Sequence, residues 1–273
     1  FIKTKNRRKG KDKMYARKRL INYYEGKIEP FKIVDGLYFV GSYKESCHLV
    51  DTGDGLLLID VGKIQNVYLI IDSIRSLGFK PEDVRYILLT HRHSDHIGGV
   101  KELAGYTGAK TYISEKSENY LRENNIFKPD VLLKDGDRLK FGKTEIECLL
   151  TAGHTEDTMS FFFNVKDGDK LYRVGTFGGA GPATLVKREG SDYYEGCRED
   201  YLNSVERLLK EKVDIFIGNH CWNNDTENKG KAIKNGRNPF IDGGAEWRKF
   251  LNFCKKRALE IIRTNKLEIE YKN

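Results

Sequence analysis

The 273-residue chain has six histidines, His48, His91, His93, His96, His154 and His220, and three of them fall in His91-Arg92-His93-Ser94-Asp95-His96. That segment packs four metal-ligating side chains into six residues. Imidazole and carboxylate are the nitrogen and oxygen donors that zinc takes, and clustered imidazoles need partners that a polar loop cannot itself supply. The apolar run 86–90 before the cluster predicts a strand. Alternate residues past a strand end point the same way, so His91 and His93 converge on one ion. Asp95 and His96 follow at a turn into a helix and address a neighbouring ion, and Gly98-Gly99 lets the backbone approach behind them. His154, in Thr151-Ala152-Gly153-His154-Thr155, and His220, in Gly218-Asn219-His220-Cys221, each follow a further apolar run. Five of the six histidines therefore stand at the C-terminal end of a predicted strand, where open α/β folds place ligands. His48 lies within a strand pattern and reads as structural.

Alternating strands and helices must hold these positions. Residues 31–34 and 37–40 predict a hairpin around Asp35-Gly36, a pair suited to tight reversal. Strands are expected at 47–50 and 56–60. Val67, Ile70, Ile71, Ile74 and Leu77 follow helical spacing and stop at Gly78. A helix over 98–106, a strand over 110–113 and a helix over 114–124, capped by Ser114, come next. Strands are then predicted at 131–133, 138–141, 144–150, 158–165 and 170–174, a helix at 199–212, a strand at 213–217 and a helix at 245–263. The pattern is two similar halves, each a helix-flanked sheet, in a single layered α/β domain over 30–273 preceded by a basic extension over 1–29. The segment 175–198 carries six glycines and is too long for a plain connector, so it is expected to border a site. Gly178–Gly181, Tyr193, Tyr194 and Trp222 are candidates to line it, and Cys221 reads as a small buried hydrophobe.

Composition narrows the class. The formal net charge is +8, but residues 1–20 hold ten of the 48 basic side chains and one of the 40 acids, leaving 38 against 39 elsewhere. The body is close to neutral, and a small-molecule substrate suits it better than a polyanion. The basic stretch is the one feature suited to nucleic acid or anionic lipid. No apolar run reaches the roughly 18 residues of a membrane span. Five cysteines, odd in number and without a CxxC pair, argue against a disulfide scaffold and for a reducing compartment, so a cytoplasmic location is expected. The chain starts at Phe1 rather than Met, and an exported or membrane-anchored protein with a segment removed before Phe1 is the alternative.

His91-x-His93-x-Asp95-His96, Gly153-His154-Thr155 and the late His220 resemble the metallo-β-lactamase-fold hydrolases, as does Leu58-Ile59-Asp60-Val61-Gly62, an apolar strand ending in Asp-x-Gly. The resemblance spans roughly residues 30–262. It implies a four-layer αβ/βα sandwich with two zinc ions at one edge, the first held by His91, His93 and His154 and the second by Asp95, His96 and His220. Asp60 would orient ligands rather than bind. Most members place a metal-bridging Asp after the strand that follows the Gly-His motif; here Thr176 falls at that position. That departure, and the stretch from Pro30 to Gly41, resemble the third metallo-β-lactamase subclass, whose second zinc is held by Asp, His and His. That subclass offers serines beyond this point to the β-lactam carboxylate. Phe177-Gly178-Gly179 stand here instead, so the resemblance does not carry antibiotic hydrolysis over to this chain.

The implied chemistry is hydrolysis. Zinc lowers the pKa of bound water from about 16 to about 7 and polarises a carbonyl oxygen, so a hydroxide held between the ions attacks an amide, β-lactam, lactone or ester while Asp95 steers its proton. The alternatives within the fold are a phosphodiesterase or nuclease gripping nucleic acid through the basic tail, and a non-catalytic metal-binding relative. The neutral body counts against the first, and six intact candidate ligands count against the second. Iron-dependent oxygen chemistry is disfavoured by the missing bridging Asp.

Overall fold

The computed structural model describes residues 26–267, so the basic stretch 1–20 and the last six residues lie outside the described range. One sheet runs in chain order through β1 (Phe31–Val34), β2 (Leu37–Phe39), β3 (His48–Asp51), β4 (Leu56–Ile59), β5 (Val84–Leu88), β6 (Lys110–Ser114) and β7 (Val131–Leu133). It is antiparallel up to β4 and parallel from β4 to β7. The other sheet comprises β8 (Arg138–Phe141), β9 (Thr144–Leu150), β10 (Met159–Asp167), β11 (Lys170–Gly175) and β12 (Ile215–Phe216), ordered β12-β11-β10-β9-β8. Only its β11–β12 pair is parallel. The helices are α1 (Val67–Ser76), α2 (Ser94–Ile97), α3 (Val100–Thr107), α4 (Glu118–Glu123), α5 (Cys197–Leu208), α6 (Thr226–Lys234) and α7 (Ala245–Thr264).

Strands covered on both faces explain why several apolar runs lack alternation. In β4, Leu57 and Ile59 join the core between the sheets, whereas Leu56 and Leu58 face Ile70, Ile74 and Leu103 of α1 and α3. In β10, Phe161 and Phe163 enter the intersheet core, while Phe162 packs with Tyr201 and Val205 of α5 and Trp247 and Leu251 of α7. Each of these phenylalanines is fully buried, which stabilises the fold by roughly 1.5–3 kcal/mol apiece. The result is helices, sheet, sheet, helices: the expected αβ/βα sandwich. Packing is in place before β1, with Lys27 bridging to Ser42 and Ile28 buried in the intersheet core.

The hairpin turns where expected, with Gly36 at φ +78°. Several elements shift. β5 ends at Leu88, two residues short of the predicted strand: Leu89 N still donates to Tyr112 O, but Thr90 N turns to the Asp60 carboxylate. The expected helix at 114–124 opens as a tight 3₁₀ turn, Glu115–Ser117, where the Ser114 hydroxyl accepts from Lys116 N; only Glu118–Glu123 is α-helical. The strand at 213–217 shortens to Ile215–Phe216, and α5 starts two residues earlier than predicted and ends at Leu208. α6 went unread, being rich in Lys with little apolar periodicity.

Candidate metal centre

The edge where the C-terminal ends of β4, β5, β9, β11 and β12 meet carries the chemistry. Two backbone hydrogen bonds stitch the sheets together there, Met159 N to Thr90 O at 2.7 Å and Ser46 N to Asn219 O at 3.1 Å. The segment after β11 presses into this seam. A Cβ at Gly178 would stand 1.9 Å from Met159 O, so only glycine fits.

The structure brings all six predicted ligating residues together as two triads, His91 with His93 and His154, and Asp95 with His96 and His220. In each, the donor atoms lie within 4.8 Å of one another. His93 Nδ1 is 3.1 Å from His91 Nε2 and 3.0 Å from His154 Nε2. Asp95 Oδ2 is 3.6 Å from His96 Nε2 and 3.9 Å from His220 Nε2. The triads adjoin, with the rings of His91 and His96 4.2 Å apart.

The outward nitrogen of each of the five triad histidines meets an oxygen acceptor, and this decides where each ring carries its proton. His154 Nδ1 donates to Gly181 O at 2.6 Å, and His220 Nδ1 donates to Lys44 O. His96 Nδ1 donates to Asp60 Oδ2 at 2.7 Å. The Thr90 hydroxyl donates to that same Asp60 oxygen at 2.8 Å, which leaves its own oxygen to accept from His91 Nδ1 at 3.0 Å. His93 is reversed: its Nε2 donates to Asp192 Oδ2 at 3.1 Å, so it presents Nδ1 inward. The inward atoms are thus bare lone pairs 3.0–3.1 Å apart in the first triad, an arrangement that repels itself unless a cation sits among them. Three imidazoles on one side, and two imidazoles with a carboxylate on the other, are donor sets that fit zinc.

Burial and mutual repulsion reinforce this. Burial, with His96 and His154 nearby, pushes the pKa of His91 well down, and burial with His93 beside it takes His154 down to about 3. Burial and His96 lower His220. Burial also works against a proton on His96, but the charge and hydrogen bond of Asp60 outweigh it and raise that pKa. For Asp95, burial opposes ionisation while His96 and His220 hold the carboxyl below its usual range.

Asp60 is the hub behind the two triads. It is 1 % exposed, sits at φ +59°, and accepts from Thr90 N, Thr90 Oγ1 and His96 Nδ1. Thr176 follows β11, buried, with its N–H donating to Phe161 O. Among the described residues no hydrogen bond links its hydroxyl to either triad, and the triads share no carboxylate. His48 is buried against Phe39, apart from both triads. Of the pocket candidates, Trp222 stacks on His220 with ring centroids 4.4 Å apart and remains 55 % exposed. Tyr193 lies instead between Lys187 and Arg198, and the Tyr194 hydroxyl donates to Asp200. Cys221 turns away, its thiol donating to Ser42 O at 3.2 Å.

Sequence reasoning missed Thr90, Asp157, Asp192 and the carbonyls of Lys44 and Gly181. Asp157 is fully buried and accepts from Arg92 N and Ser117 Oγ, holding the histidine loop in place. Its position three residues after His154, ahead of a strand, was the only available signal. The carbonyls have no sequence signal at all.

The description "Metallo-beta-lactamase superfamily" matches residues 41–220, about two thirds of the chain, and encloses both triads. The chain belongs to the metallo-beta-lactamase superfamily. Solved members of that superfamily share its architecture. BJP-1, a subclass B3 metallo-beta-lactamase of Bradyrhizobium japonicum, is similar with a TM-score of 0.81 and 28 % identity, over 90 % of this chain and 97 % of that one. Native FEZ-1 from Legionella gormanii gives 0.79 and 27 %, over 88 % and 98 %. Among curated proteins, a hydroxyacylglutathione hydrolase of Francisella tularensis subsp. novicida is 40 % identical over 97 residues, 34 % of this chain. The match spans only about a third of that relative's length, 36 %. No helix among the described residues is long and apolar enough to cross a membrane.

Proposed function

We propose that this protein is a zinc-dependent hydrolase of a small carbonyl substrate: an amide, β-lactam, lactone, ester or thioester. His91, His93 and His154 would hold one ion and Asp95, His96 and His220 a second. The observation that carries this reading is the array of inward lone pairs whose ring protons are all committed outward, which no apolar or purely hydrogen-bonded site requires. When bound, zinc supplies an acidified water and a Lewis acid for the carbonyl oxygen.

The chain's own residues divide the remaining work. Asp95 keeps one carboxylate oxygen towards His96 and His220, and its side chain is 32 % exposed, so the other oxygen can accept and turn the proton of an attacking water. Asp60 and Thr90 fix the rings of His96 and His91. Gly181 and Lys44 do the same for His154 and His220 through backbone that a substrate need not displace. Thr176 is neutral, so the second triad rests on Asp95, His96 and His220 without a bridging carboxylate. Beyond it, Phe177 is buried and Gly178 and Gly179 have no side chains, so this stretch offers no hydroxyl or cation to a substrate carboxylate. That favours substrates recognised through something other than such a carboxylate, whereas the named relatives include both a glutathione thioester hydrolase and β-lactamases.

The test is turnover of β-lactams, lactones, thioesters and phosphodiesters by the zinc-loaded protein, before and after chelation. Chelator-sensitive hydrolysis of at least one carbonyl class is expected. Activity confined to phosphodiesters overturns the carbonyl reading, and equal turnover after complete zinc removal overturns the metal reading.

A further inference from the structure

The outward contacts of two first-triad histidines come from a single stretch of chain. Residues 176–198 supply both Gly181 O, which accepts from His154, and Asp192 Oδ2, which accepts from His93 Nε2. His93 is also the ring with the inverted tautomer. Without an acceptor on its outer side, nothing prevents its proton from taking Nδ1, the position that faces His91 and His154.

Asp192 is held where it can act. The Ser191 hydroxyl donates to Arg188 O at 2.7 Å and accepts from Tyr193 N at 3.4 Å, turning the chain on both sides of Asp192. Tyr193 is gripped between the cations of Lys187 and Arg198, and Arg198 Nε donates to Leu185 O at 2.9 Å. Asn265, at the C-terminal end of α7, exchanges hydrogen bonds with both backbone groups of Lys187. The carboxylate is thus delivered by a braced segment, and at 48 % side-chain exposure it lies at the solvent side of the ring it contacts.

We propose that Asp192 is a positioning residue for the first ion. By accepting the Nε2 proton of His93 it keeps the Nδ1 lone pair facing His91 and His154, and it ties segment 176–198 to the occupancy of that triad. The carboxylate makes a charge-assisted hydrogen bond that fixes the tautomer and orientation of the ring. The proposal rests on the reading of the two triads as a zinc centre.

The experiment uses full-length, zinc-loaded wild type, Asp192→Ala and Asp192→Asn. Each zinc affinity is read by competition with a chromophoric chelator, and the His93 ring by nitrogen-15 resonances of histidine-labelled protein. Asp192→Ala should weaken one of the two ions by about 10- to 100-fold. It should also shift the His93 Nε2–H signal or lose it to exchange. In Asp192→Asn the amide oxygen still accepts the proton, so the wild-type tautomer pattern should persist with a smaller loss of affinity. A contact that only braces the loop would leave the ring resonances unmoved. The role of Asp192 is overturned if wild type takes up zinc normally and Asp192→Ala binds both ions within twofold of it. It is equally overturned if the His93 signals of Asp192→Ala match wild type. Failure of wild type to take up zinc overturns the metal reading and this proposal with it.

Discussion

Asp60→Asn isolates one hydrogen bond at the hub of the site. Asp60 sits at φ +59°, a conformation that asparagine also adopts, so the backbone should survive the exchange. The carboxylate uses one oxygen for Thr90 N at 2.8 Å and the other for both Thr90 Oγ1 and His96 Nδ1, at 2.8 and 2.7 Å. An amide has only one accepting oxygen. Turned one way, its NH₂ faces the Thr90 N–H, donor against donor. Turned the other way, it donates to His96 Nδ1, which forces the His96 proton onto Nε2, into the second triad. Either arrangement removes a charge-assisted bond from a site where Asp60 and His96 are each 1 % exposed. Such a bond contributes roughly 1.5–3 kcal/mol. At about 1.4 kcal/mol per factor of ten, the second ion should bind on the order of 10- to 100-fold more weakly. The first triad does not contact Asp60 except through Thr90, and its ion should change by no more than a few-fold. Chelator competition on matched samples separates the two ions, and thermal unfolding of the metal-free proteins measures any general loss. A variant holding both zincs within twofold of wild type refutes the role of Asp60 in orienting His96. A variant that loses both equally refutes the division of ligands.

Thr176→Asp should place a carboxylate at the edge of the second triad and make its ion harder to strip, because a neutral hydroxyl is a far weaker zinc ligand; chelator resistance equal to wild type would show that Thr176 does not border that ion. Asp95→Asn should lower turnover by about 100-fold or more at full zinc occupancy, since an amide cannot take up a proton, and wild-type kcat in the loaded variant removes Asp95 from the chemistry. His48 gives a pH prediction independent of the metals. Burial lowers its pKa to about 3, whereas the unfolded chain protonates it near 6.5. The stability it contributes is therefore complete above pH 6.5 and is lost as pH falls from there towards 3, at up to ~1.4 kcal/mol per pH unit. Urea unfolding at pH 6.5, 5.5 and 4.5 should show a shallower decline for His48→Leu than for wild type, and parallel declines would mean that the imidazole is not held neutral.

The fold, and the convergence of the six donor residues into two triads, were largely legible in the order of residues. The donor cluster 91–96 and the two later histidines each follow an apolar run, so local pattern was enough to propose that they converge. Element boundaries were less legible. Thr90 looks like continuing strand, yet its N–H leaves the ladder for the Asp60 carboxylate. Tyr193 and Tyr194, candidates to line the site, take partners that the sequence did not indicate, Lys187, Arg198 and Asp200. α6 lacks the apolar periodicity on which a helix is read.

By itself the sequence determined the kinds of donors and their places at strand ends, because side-chain chemistry and the period of a strand are local properties. It also determined the two-layer covering of the sheets, since continuous apolar runs such as 56–59 and 161–163 have no stable arrangement with one face in water. Only the tertiary structure decided which nitrogen four of the five triad histidines turn inward. That choice depends on acceptors far away in sequence: Lys44 O for His220, Asp60 for His96, Gly181 O for His154 and Asp192 for His93. Two of these are backbone carbonyls, which every residue possesses; Asp60 was marked by its strand-end motif, but Asp192 is indistinguishable in sequence from the rest of the 40 acids. A hydrogen bond needs its partners within about 3 Å, and folding alone sets that distance.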